Sequence, residues 1–357
     1  MIYTILIFIL ILGVLIGSHE LGHFLAAKAN GITVKEFSLG MGPRLCSVTK
    51  GGTIYSIRLL PIGGACMFEG EDGADGEDEN GSPRELSEGA FPNASVWARI
   101  CTVVAGPFFN FVLAYVLAVI ITANSYTDRP VVQELIPGYP AQEAGIQPGD
   151  LITRMNGERI HFAKEIQLIT MLNDQNAPIT VEYERDGQKY ETVLTPEYDQ
   201  KSGRYLLGFQ GYAEYVRPKG LQIFTDGFHE VGYGLKSTVK SLKMMIEGRV
   251  SKNDVAGPVY MAKMVDDVTE MAKPYGVWAV ILNLMNFAML LSVNLGVLNL
   301  LPIPALDGGR LVFLLFELIR GKPVPTEKEG MVHLAGFAVL MLFMVWVVFN
   351  DITRLIG

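Results

Sequence analysis

Two histidines and a glutamate near the N-terminus have the spacing of a metal-binding motif. His19, Glu20 and His23 form the pattern His-Glu-x-x-His. On a helix, positions i and i+4 lie on the same face, so both imidazole rings can bind one zinc ion. The glutamate between them can take a proton from water held at the metal. The pattern therefore indicates zinc-dependent hydrolysis, and two helical histidines that bind no metal are the alternative.

A catalytic zinc site needs a third protein ligand, and Asp307 is the best candidate. It follows an uncharged stretch, residues 274–306, and two glycines come directly after it. Pro302 and Pro304 interrupt the helix at the end of that stretch, so the broken segment can deliver a carboxylate to the two histidines. The alternative is that Asp307 caps the N-terminus of the next helix.

Other histidines and a cysteine are weaker candidates for the third ligand. His161 and His229 belong to a polar region that we expect on the far side of a membrane. His333 begins an apolar segment, where a single histidine more often serves in packing. Cys66 could add a soft ligand, but packing is the commoner role of such a cysteine.

Four long apolar segments must position these residues. Only 18% of the 357 residues are charged, compared with about 25% in soluble proteins. Four segments without charge are each long enough, with small extensions, to cross a bilayer as a helix. We predict spans at about 1–25, 99–124, 275–306 and 330–350. The first segment lacks the basic start and small-residue cleavage site of a secretory signal.

The region between the first two spans contains strand-like pieces. Residues 37–68 contain strand-like runs on both sides of Gly51 and Gly52. This glycine pair predicts a hairpin turn between the runs. Residues 69–79 hold seven acidic residues in eleven, which predicts a solvated loop or, alternatively, a calcium site. We assign this whole region, with the first two spans, to the first part of the membrane core, residues 1–125.

Two further regions lie between the second and third spans. Residues 126–214 contain short strand-like runs and one helical run, which predict a small α+β domain. Residues 215–273 are amphipathic, so they pack against the rest of the protein or lie on the membrane surface. The second part of the membrane core then covers residues 274–357.

The distribution of basic residues predicts the orientation in the membrane. With four spans, residues 26–99 and the loop 307–329 face the same side, and both are rich in Lys and Arg. We expect that side to be cytoplasmic, which places the active site near the cytoplasmic face and residues 126–214 outside. The net charge of −8 argues against a nucleic-acid partner, because binding to phosphates needs a basic surface.

Taken together, these motifs resemble the site-2 proteases, the zinc metalloproteases of regulated intramembrane proteolysis. The motif at residues 19–23 is paired with Asn-x-x-Pro-x-Pro-x-Leu-Asp-Gly-Gly at residues 299–309. Residues 105–111, Ala-Gly-Pro-Phe-Phe-Asn-Phe, resemble a motif of the second span. Residues 37–43 and 61–64 resemble the family's membrane re-entrant β-hairpin. Residues 256–259 resemble a segment before the third span, and residues 140–152 resemble a PDZ domain.

The resemblance implies a role for each matching residue. His19, His23 and Asp307 would bind Zn²⁺, and Glu20 would be the general base. A second set matches family residues that hold the substrate, namely Asn294, Asn299, Gly63 and Gly64. The chain departs from the family at residues 63–66, Gly-Gly-Ala-Cys, where Gly-Gly-Tyr-Val is common.

The resemblance also implies an architecture and an activity. The chain would be an α-helical polytopic membrane protein with four transmembrane helices, a membrane-associated β-hairpin region and one extracytoplasmic PDZ domain, unlike the two-PDZ regulator of sigma-E protease. It would cleave transmembrane segments of single-span proteins in the lipid bilayer, such as anti-sigma factors or signal-peptide remnants. A site-1-type protease would cut these substrates first. The PDZ domain would filter substrates by size, bind a new C-terminus, or only pack.

Three other interpretations remain open at this point. A membrane-anchored protease would have its zinc site outside the cell, and a reversed topology would support it. An inactive membrane scaffold would be expected to lack Glu20 or Asp307, and both are present. A metal transporter would show inverted repeats, and the sequence contains no convincing repeat.

Overall fold

The computed structural model describes residues 2–71, 86–174, 176–200, 202–250 and 255–356. The chain divides into two compact units. The first comprises Met1–Leu117 and Gly248–Gly357, and the second comprises Ala118–Glu247. The acidic segment 69–79 lies outside the described residues from position 72 onward, so the loop and calcium interpretations both remain predictions.

Helices form most of the first unit and also occur in the second. In chain order, the α-helices of the described residues are α1 (Ile2–Ala29), α2 (Val96–Asn124), α3 (Pro140–Glu143), α4 (Ala163–Leu172), α5 (Gln222–Ile246), α6 (Pro258–Ala272), α7 (Val277–Asn299), α8 (Asp307–Arg320) and α9 (Thr326–Ile356). Four of these, α1, α2, α7 and α9, are long and apolar enough to cross a membrane. They correspond to the four apolar segments of the sequence.

The third apolar segment folds as a helix, a turn and the start of another helix. Helix α7 ends at Asn299, before the predicted end of the span at 306, because Pro302 and Pro304 have no N–H to continue the helical hydrogen bonds. The chain then turns through Ala305, whose φ of +76° is uncommon for a residue with a side chain. Helix α8 begins at Asp307 and makes no side-chain capping hydrogen bond at this end.

Strands β1 (Val34–Lys50) and β2 (Thr53–Phe68) form a hairpin beside α1. Gly51 and Gly52 make the turn, as predicted, and their φ angles of 59° and 77° explain why glycine suits both positions. Residues 36–39 of β1 pair with residues 54–57 and also with residues 64–67. The last stretch of β2, residues 64–68, is therefore paired on one side only among the described strands.

A small apolar core holds the hairpin against three helices. It contains Ala27, Ile32, Val34, Phe68, Phe91, Val103 and Leu314, from α1, α2, α8, the hairpin and the segments that precede the hairpin and α2. Next to it, Arg99 of α2 donates two hydrogen bonds to Glu317 of α8, at 2.6 and 3.0 Å, and both side chains are largely buried. These contacts hold α8 against α2, and so bring the start of α8 toward the end of α1.

A second core joins α1, α6 and α7 through Phe8, Val265 and Phe287. Asp351, which is fully buried on α9, accepts hydrogen bonds from the backbone N–H groups of Gly257 and Tyr260 at 3.0 and 2.9 Å. The carboxylate thus caps the N-terminus of α6, where unpaired N–H groups favour a negative charge.

The second unit contains an α+β domain. Its strands are β3 (Thr127–Arg129), β4 (Glu134–Leu135), β5 (Leu151–Met155), β6 (Glu158–Arg159), β7 (Ile179–Arg185), β8 (Gln188–Leu194), β9 (Glu197–Asp199), β10 (Arg204–Leu206), β11 (Phe209–Gly211) and β12 (Glu214–Val216). An antiparallel sheet of order β6-β5-β7-β8 and helix α4 enclose a core that includes Ile152, Ile166 and Val181. The predicted α+β class of this domain is confirmed.

The amphipathic region predicted at 215–273 is divided between the two units. Helix α5 belongs to the second unit and α6 to the first. Three ion pairs attach α5 to the α+β domain: Lys164 to Glu230, Lys236 to Glu165 and Lys240 to Glu158. The face of α5 that carries Lys236 and Lys240 therefore packs against the α+β domain, while Phe224, Phe228 and Val239 are exposed.

Candidate metal centre and active site

His19, His23 and Asp307 meet in the first unit. The Nε2 atoms of the two histidines lie 3.2 Å apart. Asp307 Oδ2 lies 3.1 Å from His19 Nε2 and 3.4 Å from His23 Nε2. Both histidines are buried and Asp307 is half-buried. In the part of the chain that the structure describes, no other three His, Cys, Asp or Glu residues bring their ligand atoms so close together.

The separations of these three atoms fit one zinc ion. With zinc–ligand bonds of about 2.0–2.1 Å, neighbouring ligands of a tetrahedral site lie about 3.3 Å apart. Asp307 Oδ2 is buried and, despite its close neighbours, has no hydrogen-bond partner among the described residues. A buried carboxylate oxygen without a donor is costly unless a cation neutralises it. The donor set and this oxygen therefore suit zinc.

Helix α2 supplies the groups that orient the two imidazole rings. His23 Nδ1 lies 2.9 Å from the carbonyl oxygen of Thr102. Because a carbonyl oxygen can only accept, His23 Nδ1 carries the proton and Nε2 keeps its lone pair for a metal. On the other ring, His19 Nδ1 lies 3.2 Å from the side-chain amide of Asn110.

Close approach of α1 and α2 depends on Gly22 of α1. A Cβ atom at Gly22 would lie 2.2 Å from the carbonyl oxygen of Ala105, so only glycine fits between the helices. The rings of His19 and His23, one turn apart, meet edge to face with centroids 4.7 Å apart. Both ligands therefore project from the face of α1 that is packed against α2.

Glu20 lies next to the edge of the hairpin. A Cβ atom at Gly64 would lie 2.9 Å from Glu20 Cγ, so the hairpin and α1 touch at this point. The backbone N–H of Cys66 also donates to the Glu20 carboxylate. The stretch at residues 64–68, which pairs with a described strand on one side only, therefore runs directly beside the candidate general base.

A cavity of about 380 Å³ surrounds the metal centre. Its wall is formed by His19, Glu20, His23, Ala65, Cys66, Met67, Phe68, Glu71, Val103, Asn299, Ala305, Leu306, Asp307 and Arg310. Arg310 and Glu71 form an ion pair in this wall. The cavity thus has space for a short extended peptide segment beside the three ligands and Glu20.

The structure separates the four residues expected to hold substrate. Asn299 lines the cavity, and Gly64 touches Glu20. Gly63, with a φ of +82°, abuts the side chain of Met41. Asn294 is half-buried on α7 and is not part of the cavity wall. Cys66 lines the cavity without joining the group of three close ligands.

Two residues near the site were given no functional role by the sequence. Asn110 lies within the motif at residues 105–111, so that motif was the available signal for it. His333 was expected to serve in packing, yet its Nδ1 accepts a hydrogen bond of 2.9 Å from the backbone N–H of Ala305. This contact holds the turn that presents Asp307, and no pattern in the sequence indicates it.

The chain matches known proteins over nearly its whole length. Residues 7–343 match the sequence model of Peptidase family M50. Zinc metalloprotease RasP of Bacillus licheniformis is 34% identical, with 99% of both chains covered. Regulator of sigma-W protease RasP of Bacillus subtilis is 33% identical, again with 99% of both chains covered. Among solved structures, the PDZ domain of the SdrC-like protein from Listeria monocytogenes covers 24% of this chain and 85% of that chain, with 17% identity and a TM-score of 0.21.

These matches establish the class of enzyme and its cofactor. The chain is a zinc metalloprotease, and with four apolar helices it is a multi-pass membrane protein whose substrates lie in the bilayer. The resemblance seen in the paired motifs is confirmed by these full-length matches. The chain belongs to Peptidase family M50, the site-2 proteases.

Proposed function

We propose that this protease cleaves single-span membrane proteins within their transmembrane segments, with His19, His23 and Asp307 as zinc ligands and Glu20 as general base. The observation that carries the proposal is the meeting of three ligand atoms beside Glu20, in a cavity lined by membrane-spanning helices. Anti-sigma factors and signal-peptide remnants are the substrate classes we propose. The printed name of the Bacillus subtilis relative, a regulator of sigma-W, supports the first of these.

The residues of the site divide the chemistry among them. When bound, zinc supplies Lewis acidity, which acidifies water and polarises a carbonyl group. The Glu20 carboxylate accepts the proton of the attacking water and passes it to the departing amide nitrogen. The N–H of Cys66 holds that carboxylate in place. The carbonyl oxygen of Thr102 holds a proton of His23 on Nδ1, with Nε2 directed at Asp307.

The hairpin edge gives the substrate a place to bind as an extended strand. A peptide bond in a membrane helix is hydrogen-bonded and dry, so the helix must unwind before hydrolysis. Residues 64–68 can add the unwound segment as another strand, which replaces the lost main-chain hydrogen bonds. Asn299 in the cavity wall would hold the substrate backbone beside this strand, with support from Asn294, Gly63 and Gly64.

The orientation in the membrane belongs to the same proposal. Basic residues in the loop 307–329 and in residues 26–99 support a cytoplasmic position for the end of α1 and the start of α8. The PDZ domain, residues 126–214, would then be extracytoplasmic. There it would admit substrates whose outer part has been removed by a first protease, acting as a size filter or by binding the new C-terminus.

A cleavage assay with the full chain tests this function. The purified protein is reconstituted into vesicles with zinc and a single-span substrate, either intact or with its outer domain removed. We expect cuts inside the transmembrane segment, mapped by mass spectrometry, and faster cleavage of the truncated substrate. Glu20→Gln should lower the rate by about 100-fold or more and leave zinc content unchanged, because it removes the base but no ligand. Full cleavage by Glu20→Gln, or cuts only outside the membrane segment, would contradict the proposal.

A further inference from the structure

We infer that Asn110 is a positioning residue whose side-chain oxygen accepts the Nδ1 proton of His19 and thereby keeps His19 in the form that binds zinc. This rests on the proposed function, because it takes His19 as a zinc ligand. Asn110 is neither a residue of the cavity wall nor one of the three candidate ligands. It would therefore act only through the imidazole ring of His19.

The contact between the two residues is buried and well supported. The side-chain amide of Asn110 lies 3.2 Å from His19 Nδ1. Asn110 has no exposed surface, and His19 is 9% exposed. The hydroxyl of Ser292 on α7 donates to the backbone carbonyl of Asn110 at 2.7 Å, which fixes this part of α2 against a third membrane-spanning helix.

His23 shows what the surroundings of a zinc-binding ring look like here. Its Nδ1 proton goes to a carbonyl oxygen, that of Thr102, and its Nε2 faces Asp307. Thr102, Gly106 and Asn110 are spaced by four residues, so they lie along one face of α2. This face of α2 therefore presents the carbonyl oxygen of Thr102 to His23 and the side-chain amide of Asn110 to His19. Gly106, between them, has no side chain.

The orientation of the Asn110 amide decides which tautomer His19 adopts. If the amide nitrogen faces His19 Nδ1, Nδ1 must accept, and in the neutral ring the proton then lies on Nε2, pointing at Asp307. That tautomer has no lone pair at Nε2 and cannot bind zinc there. If the amide oxygen faces Nδ1, the proton lies on Nδ1 and Nε2 is free.

The two orientations differ only by a half-turn about the Cβ–Cγ bond, which exchanges oxygen and nitrogen atoms of nearly equal size. The Oδ1 atom of Asn110 is buried and has no hydrogen-bond partner among the described residues. No described donor therefore holds the oxygen away from His19. A metal at Nε2 requires the oxygen to face His19, which makes this the orientation of the zinc-loaded enzyme.

Two substitutions of Asn110 separate these possibilities. Asn110→Leu keeps the branched shape and the number of side-chain heavy atoms but removes both polar atoms. The ionised carboxylate of Asn110→Asp presents oxygen only, so it can accept from His19 Nδ1 but cannot donate to it. The control is Asn283→Leu, on the membrane-spanning helix α7, because Asn283 is exposed and donates only to a carbonyl of its own helix.

Zinc affinity of the full chain in detergent is measured by competition with a chelator, and the visible absorption spectrum is recorded after loading with cobalt. We expect Asn110→Leu to bind zinc about 10–100-fold more weakly than wild type and to change the cobalt spectrum. Asn110→Asp and Asn283→Leu should keep wild-type affinity within a few-fold. If Asn110→Leu fails to fold, as judged by metal-free thermal unfolding, Asn110→Ala replaces it because it removes the amide without adding bulk.

Two results would overturn the inference. One is wild-type zinc affinity in Asn110→Leu, which would show that the amide does not matter. The other is loss of zinc from Asn110→Asp as large as that from Asn110→Leu, which would show that the nitrogen atom is the partner. A wild-type chain that binds no zinc would instead refute the proposed function, so the two failures are distinguishable.

Discussion

Gly106 of α2 lies directly against the imidazole ring of His23. A Cβ atom on this glycine would lie 2.3 Å from His23 Nε2 and 2.4 Å from Cε1, far inside contact distance. No side chain fits there unless the ring moves. The hydrogen bond from His23 to Thr102, one turn earlier on α2, is possible only because residue 106 has no side chain.

Gly106→Ala is therefore expected to displace His23 and weaken zinc binding by about tenfold or more, a loss comparable to that of an orienting partner. Zinc per chain after dialysis and the rate of substrate cleavage are the measurements. Gly13→Ala on α1 is the matched control, since a Cβ atom there meets nothing within 4 Å. Normal zinc content in Gly106→Ala would show that α2 does not constrain the ring.

Asp307→Asn should abolish tight zinc binding without destabilising the metal-free protein. The substitution keeps the shape but removes the negative charge that faces both histidines. Because Asp307 makes no capping hydrogen bond at the start of α8, the metal-free free energy of unfolding should stay the same. A loss of about 1 kcal/mol in the metal-free chain would instead support a helix-capping role.

His333→Phe should loosen the turn before Asp307. Phenylalanine keeps a ring for packing against Phe313 but removes the acceptor for the N–H of Ala305. Leaving this N–H without its partner should cost about 1–3 kcal/mol of unfolding free energy. Thermal unfolding with and without zinc measures the effect, and His333→Gln, which can offer an oxygen, should restore part of it. Equal stability of His333→Phe and wild type would rule out this role.

Stability should fall in mild acid because of His161 in the second unit. Burial, and then electrostatic repulsion from His229, whose ring stacks on it at a centroid distance of 3.7 Å, hold the pKa of His161 below its ordinary value. The other charged groups near it are Glu165, Lys236 and Arg159. A histidine whose pKa is lower in the folded than in the unfolded chain stabilises the fold at pH values above the unfolded pKa of about 6.5. This stabilisation is lost as the pH falls below that value.

His161→Phe keeps the stacked ring and removes the titrating group, so its stability should depend less on pH below about 6.5 than that of wild type. Thermal unfolding of the full chain between pH 7.5 and 5 compares the two proteins, with pH 7.5 as the internal reference. Parallel pH curves would show that His161 does not contribute.

Single-cysteine labelling should reveal the orientation in the membrane. In a chain whose Cys46, Cys66 and Cys101 are replaced by serine, Gln188→Cys in the α+β domain should react with an impermeant reagent added to intact cells. Lys322→Cys, in the loop after α8, should react only after the membrane is opened. The reverse pattern would support a membrane-anchored protease with its zinc site outside.

Some features of this protein follow from the sequence alone, because they depend on short stretches of chain. The spacing of His19 and His23 places both rings on one face of any helix. The lengths of the uncharged segments require membrane-spanning helices, and Gly51 and Gly52 require a turn. Asp307 could be found because it is the one carboxylate at the end of a broken apolar segment.

Other features depend on how separate helices pack, and no local pattern contains that information. The sequence treats Asn294 and Asn299 alike, but only Asn299 lines the cavity, because the last turn of α7 reaches it. The sequence predicts one amphipathic region. In the structure, Lys236 of α5 pairs with Glu165 of the α+β domain, whereas Asp351 of α9 caps α6. The two halves of the region therefore belong to different units. The spacing of His19 and His23 and the broken apolar segment before Asp307 were enough to name the candidate ligands. Contacts across helices, such as Gly106 with His23 and Asn110 with His19, were decided by tertiary packing.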